Sequence, residues 1–167
     1  MQIGDAARQY LTFFLGDEEY AVAILRLKQI LDYRAPTRVP AVPPCIRGVI
    51  NLRGLVVPVI DLAAKFGAAA RAPGRTTCIV IVELAIEGAP ALMGVIADRV
   101  HQVIELGDGD VEPPPPFGTR VRVDFLVGVG KLDDRFVLLL DIDKVLSQHE
   151  LWAAGELAAA PPDGGDA

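Results

Sequence analysis

Residues 46–62 read IRGVINLRGLVVPVIDL, two β-rich apolar runs folded around Asn51-Leu52-Arg53-Gly54. Val49, Ile50, Val56, Val57, Val59 and Ile60 carry branched side chains that suit a pleated, half-buried surface. Gly54 supplies the backbone freedom a tight connection needs, so the stretch predicts a β-hairpin. Pro58 has no N–H to give to a central ladder, which predicts an edge position or a bulge for the second strand. Asp61 stands where an N-cap would open a short helix over 62–66, with Gly67 as its stop. The odd residue is Arg53, a charge at the tip of an otherwise apolar hairpin.

The pattern recurs. From Gly48 the chain reads GVINLRGLVVPVIDLAAKF, and from Gly128 it reads GVGKLDDRFVLLLDIDKVL in the same register. Gly48 and Gly128, Val49 and Val129, Leu52 and Leu132, Val57 and Val137, and Asp61 and Asp141 are identical pairs. Each copy therefore predicts strand, charged turn, strand, Asp cap and short helix. A fainter echo lies upstream of each copy, where YAVAILRLKQIL from Tyr20 lines up with MGVIADRVHQVI from Met93. The second copy holds the longer intervening loop, with Gly107-Asp108-Gly109 and Pro113 to Pro116. Duplication explains a fixed register with shared Gly and Asp better than chance does.

The other elements fit an all-β architecture. Strands are predicted over 10–15 and 20–24 around the turn Gly16-Asp17-Glu18-Glu19. Two more, over 76–84 and 91–100, flank Glu87-Gly88-Ala89-Pro90. Short strands with turn signals at this spacing predict small barrels or a sandwich, and duplication favours two small barrels of about five strands each. Helices are predicted over 23–31, 62–66 and 144–154. The domain is expected over 8–151, with flexible tails at 1–7 and 155–167.

At 167 residues and 51% hydrophobic, the chain can bury a core and is most simply one domain. A net charge of −6 argues against a nucleic-acid footprint, and the basic residues form no polybasic membrane patch. The first ten residues lack the apolar core of a signal peptide, and no apolar run approaches the ~18–20 residues of a membrane span. Cys45 and Cys78 predict two reduced thiols in a cytoplasmic protein.

Catalytic patterns are missing. Ser147 lies in no nucleophile elbow, His101 and His149 stand at no metal-ligand spacing, and the glycine pairs make no phosphate loop. The aspartates read as turn and cap residues. The chain is therefore expected to be no enzyme and to need no cofactor or metal. A thiol enzyme using Cys45 or Cys78 with His101 is the remote alternative and lacks a third partner. Pro113 to Pro116 predicts a rigid connector between strands rather than a polyproline ligand. Arg53 among exposed aliphatics has the composition of an interface anchor, although an arginine at a hairpin tip is ordinarily just solvated.

LGDEEYAV (from Leu15), then PCIRGVINLRGLVVPVIDLAAKFG (from Pro44), resembles the CheW family, the coupling proteins of bacterial chemotaxis. The similarity covers Tyr10 to about Leu151, and the N-L-R-G…P-V-I-D-L string is its most specific part. The same fold serves as the regulatory domain of CheA histidine kinases. This chain has no phosphotransfer, ATP-binding or receiver portion, so the resemblance is to a stand-alone coupler.

That resemblance implies two intertwined SH3-like five-stranded barrels around a shared core. It implies a non-catalytic adaptor in signal transduction that links methyl-accepting chemoreceptor tips to a CheA-type kinase. A coupler in a non-flagellar chemosensory system, such as one for twitching motility, is the close alternative. It also implies a cytoplasmic protein recruited to membrane receptor arrays without inserting into the bilayer. Carried over by position, receptor contact falls on Ile24, Leu27, Gln29, Gly48, Arg53, Thr77, Cys78 and Val103; no residue is assigned to the kinase contact. Two departures stand out. Gln29 replaces a Glu frequent in the family that can pair with the N-L-R-G arginine, and Cys78 replaces an aliphatic. Either Arg53 finds another carboxylate, or its charge is left free for a receptor glutamate.

Overall fold

The computed structural model describes residues 8–68, 72–86, 88–114 and 125–145. The expected tails, the helix beyond residue 145, Glu87, Pro115, Pro116, Ser147 and His149 lie outside them. The deciding hairpin is present as β4 (Ile46–Leu52) and β5 (Leu55–Ile60). Arg53 and Gly54 are its two loop residues, both left-handed at φ 53° and 87°. Two consecutive positive φ values match the right-handed twist of the flanking strands, which is why such short loops favour them. Asp61 caps α1 (Leu62–Lys65) by accepting from the Ala64 N–H at 3.2 Å, and Gly67 ends it at φ 87°.

The second copy repeats this unit as β10 (Leu126–Lys131), β11 (Phe136–Leu140) and α2 (Ile142–Val145). The pairing slips at the same repeat position in both hairpins, between Ile46 and Gly48 and between Leu126 and Gly128. Both glycines are required by close approach. A methyl on Gly48 (φ 145°) would collide with the Thr37 carbonyl oxygen, and one on Gly128 would sit 2.8 Å from that of Glu112. Thr37 bridges Val49 just as Glu112 pairs with Val129, so one crossing strand presses on each copy.

The remaining strands are β1 (Arg8–Leu15), β2 (Glu18–Ala23), β3 (Leu27–Asp32), β6 (Cys78–Ile86), β7 (Ala89–Ala97), β8 (Arg99–Leu106) and β9 (Val111–Glu112). They form a five-stranded sheet, β3-β6-β7-β5-β4, and a six-stranded sheet, β8-β1-β2-β11-β10-β9. The two orders are the same path through exchanged repeats. Hairpin β4–β5 of the first repeat joins β7 of the second through Val59↔Gly94 and Ile60↔Val95. Hairpin β10–β11 joins β2 of the first through Leu138↔Tyr20 and Leu139↔Ala21. The two five-strand units are thus intertwined, as expected, and β9 is an addition to one of them.

The core divides accordingly. Ile50, Leu52, Val57, Val59, Ile79 and Ile81 fill one unit, and Tyr10, Ala21, Ile104, Leu106, Val137 and Leu139 fill the other. The largest cluster, with Phe13, Tyr20, Ile60, Leu62, Val80, Val82 and Leu140, is drawn from both sheets and both repeats. Burying aliphatic and aromatic side chains there stabilises by about 2 kcal/mol each.

Several expectations are corrected. Residues 23–31 form no α-helix: Ile24–Arg26 is a single 3₁₀ turn and Leu27 onward is β3, whose alternating burial fits a strand. The turn after β1 is only Gly16-Asp17, since Glu18 and Glu19 already pair with Leu15 and Phe14. The run 91–100 is two strands in different sheets, broken at Asp98, whose carboxylate accepts from the Gly16 N–H at 2.6 Å. Strand β5 is not an edge, because β4 and β7 flank it. The ladder with β7 begins only at Val59, one residue later than at the equivalent Leu138, so Pro58 is not asked for an N–H there.

Candidate functional site

Arg53 is exposed, and its backbone conformation is uncommon for a residue with a side chain. Two hydrogen bonds fix it. The Asn51 side-chain oxygen accepts from the Gly54 N–H at 2.8 Å, closing the turn. The Arg53 guanidinium donates through Nη2 to Gln29 Oε1 at 2.7 Å. Gln29 lies on β3 and Arg53 beyond β4, the two edges of the five-stranded sheet, so this bond spans the gap that closes the unit. Arg34 helps from the same side, donating Nη2 to the Asn51 carbonyl oxygen at 2.8 Å. Leu55, 56% exposed, puts aliphatic surface on the same hairpin end, whereas exposed Ile30 follows Gln29 on β3 and points to the opposite face of the strand.

The other positions divide into groups. Ile24 and Leu27 are half-buried and pack against the shared core where the two units meet. Between them, Arg26 holds Asp143 of α2 through a bidentate ion pair and also donates to the Glu83 carbonyl oxygen at 2.9 Å. Thr77 is half-buried and lines a cleft of about 940 Å³ formed with the 33–47 loop. Val103 is exposed on β8, opposite Leu11 in the other sheet. Gly48 and Cys78 are buried. Gly48 serves the strand crossing described above, and the Cys78 thiol points at the Ala97 carbonyl oxygen, 3.9 Å away.

Nothing in this arrangement activates a nucleophile. Burial pushes the Cys78 thiol above its ordinary pKa, which disfavours the thiolate. Cys45 is also buried, and His101 is engaged elsewhere. Among the described residues no group of three His, Cys, Asp or Glu side chains is placed to hold a metal ion.

One polar cluster was not legible in the sequence. Glu19 is buried on β2 and accepts from Arg135 Nε at 2.6 Å, Arg135 Nη2 at 3.3 Å and His101 Nδ1 at 2.8 Å. Burial alone would raise its pKa, but the bonds from Arg135, His101 and Thr12 outweigh that and bring it down to about 2. Its partners lie far away in sequence, so no local motif signals them. The cluster ties β2, β8 and the β10–β11 turn together and belongs to the framework of the second unit.

A family model described as CheW-like domain matches residues 9–150. Chemotaxis protein CheW of Klebsiella aerogenes is 34% identical over 90% of this chain and 89% of its own length. Chemotaxis protein CheW of Rhizobium meliloti is 29% identical over 90% of this chain and 94% of its own. Among solved structures, the scaffolding protein TtCheW from Thermoanaerobacter tengcongensis superposes with a TM-score of 0.77 at 32% identity. That match covers 86% of this chain and 97% of the other.

Proposed function

The chain belongs to the CheW-like domain family, and on that premise we propose that it is a chemotaxis adaptor coupling methyl-accepting chemoreceptors to a CheA-type histidine kinase. The observation that carries the reading is Arg53, held on an exposed tip by Gln29 and Asn51 with exposed Leu55 at the same hairpin end. A rigid arginine flanked by apolar surface has the composition of a binding anchor. The receptor face includes Arg53, Gln29, Ile24, Leu27, Thr77 and Val103; Gly48 and Cys78 support it from beneath.

The adaptor performs no chemistry and acts by shifting a conformational equilibrium. Receptor state changes the packing at Ile24 and Leu27, which rest on the core shared by both units, and the kinase bound elsewhere feels the change. No helix of the described residues is long and apolar enough to cross a membrane. A cytoplasmic protein recruited to receptor arrays through these contacts fits that picture.

The test is Arg53→Ala, titrated against a receptor cytoplasmic fragment and against a kinase regulatory domain. The variant is expected to fold, since the side chain is exposed, and to lose affinity for receptor far more than for kinase. Unchanged receptor affinity would refute the assignment of the site.

A further inference from the structure

We propose that the ion pair between Arg26 and Asp143 is a conformational latch, through which contact with a partner at the Ile24–Arg26 turn reaches the second repeat. The proposal rests on the reading of Ile24 and Leu27 as receptor contacts and names the side chains that carry their response.

The turn has little else to hold it. It carries the chain from β2 in one sheet to β3 in the other and fully buries none of its residues. Ala23 has no side-chain oxygen to cap it, and Leu25 stands 87% exposed. Arg26 supplies the anchorage. Its Nη1 and Nη2 both donate to the Asp143 carboxylate on α2, and Nη1 also donates to the Glu83 carbonyl oxygen on β6 at 2.9 Å. Asp143 follows Ile142, which is buried in the core shared by the two units. The pair therefore fastens a surface turn of the first repeat to a helix seated in that core. A bidentate guanidinium–carboxylate pair needs one geometry for both bonds, so a shift of the turn breaks it as a unit. Both side chains are 37% exposed, and a pair that open contributes little enough for a partner's contact to offset.

The second repeat supplies an internal comparison. Its crossover from β7 to β8 is the counterpart of this turn, with Arg99 at the position of Arg26. The counterpart of Asp143 on α1, however, is Ala63, which has no carboxylate. Arg99 lies instead over the Phe14 ring, 4.0 Å from its centroid, and the Asp98 carboxylate pins that crossover by accepting from the Gly16 N–H. The fold thus makes one crossover without an arginine-to-helix pair, so the change of sheet does not account for the pair at the other. Segments with few buried contacts open at low cost. An element with two discrete arrangements is what coupling between distant contacts requires, and the latched and released turn provides it.

The experiment is a cycle of Arg26→Ala, Asp143→Ala and the double variant, with Lys28→Ala as the control because it breaks the neighbouring pair to Glu83. Each full-length protein is titrated against a receptor cytoplasmic fragment and a kinase regulatory domain. Each is then combined with receptor in membrane vesicles and a CheA-type kinase, and the change in kinase phosphorylation on adding receptor ligand is measured. Both single variants are expected to bind each partner within about twofold of the parent, yet to reduce the ligand response about fivefold. The double variant is expected to respond like either single, since the two groups act as one pair, and Lys28→Ala like the parent. A full ligand response from either single variant would overturn the latch and leave the adaptor reading standing. An equal loss from Lys28→Ala, or a double variant far weaker than either single, would overturn it too. Loss of binding to either partner would make the pair part of the framework and overturn it likewise. If the parent binds neither partner or confers no ligand control, both readings fall.

Discussion

Replacing Glu19 by glutamine removes a buried carboxylate but keeps its shape, so the variant isolates the charge. Its pKa lies at about 2 in the folded chain against 4.5 for the unperturbed group. Because the folded value is the lower one, the stabilisation is fully present above about pH 4.5 and is lost as pH falls from there toward 2. At RT ln 10 per pH unit the shift corresponds to about 3 kcal/mol. Arg135 and His101 remain about one-third exposed, so screening brings the expected difference to about 2 kcal/mol. Urea unfolding of the parent and Glu19→Gln, repeated between pH 7 and pH 2.5, measures it. The stability gap should be about 2 kcal/mol at pH 7 and close steadily below pH 4.5. A gap of the same size at pH 3 as at pH 7 would refute the electrostatic account, since packing alone would then explain it.

Gly48→Ala and Gly128→Ala should each lower stability by about 2–3 kcal/mol in the same unfolding assay, because a methyl meets the backbone of the crossing strand. Losses under 0.5 kcal/mol would contradict the close approach. Asp61→Ala removes both the α1 cap and the partner of Arg47 and should cost about 1 kcal/mol, read from the urea midpoint. Cys45 and Cys78 should resist a thiol reagent at pH 7 until the chain is unfolded, and Cys45→Ser should leave partner binding intact. Rapid labelling in native buffer would show that burial does not protect them.

The hairpin, the Asp cap and the repeat were legible because each rests on local chemistry: branched residues in pleated runs, glycine in a tight turn, a carboxylate before a helix. The exchange of hairpins between units follows from no local chemistry and was expected only from the family resemblance, because each exchange depends on two parallel pairs between distant segments. Ile24, Leu27, Ile30 and Leu31 fit a helical stripe, yet the alternation of Leu27, Gln29 and Leu31 prevails once β3 pairs with β6. The break at Asp98 was marked only by the charged pair Asp98-Arg99 inside the run 91–100, and its partner, the Gly16 N–H, lies in a distant segment. At the site, Arg53 and Gln29 were legible and the structure joins them. Gly48 and Cys78 lie below the surface, and Arg34 was missed because its contact is to a backbone carbonyl that no side-chain motif marks.

The central claim is that this chain couples receptor to kinase, and reconstitution tests it most directly. Receptor in membrane vesicles and a CheA-type kinase are combined with and without the purified chain, and kinase phosphorylation is followed as receptor ligand is added. The account predicts that ligand controls the kinase only when the chain is present, and that Arg53→Ala fails to restore control. Equal ligand control of the kinase without the chain would contradict it.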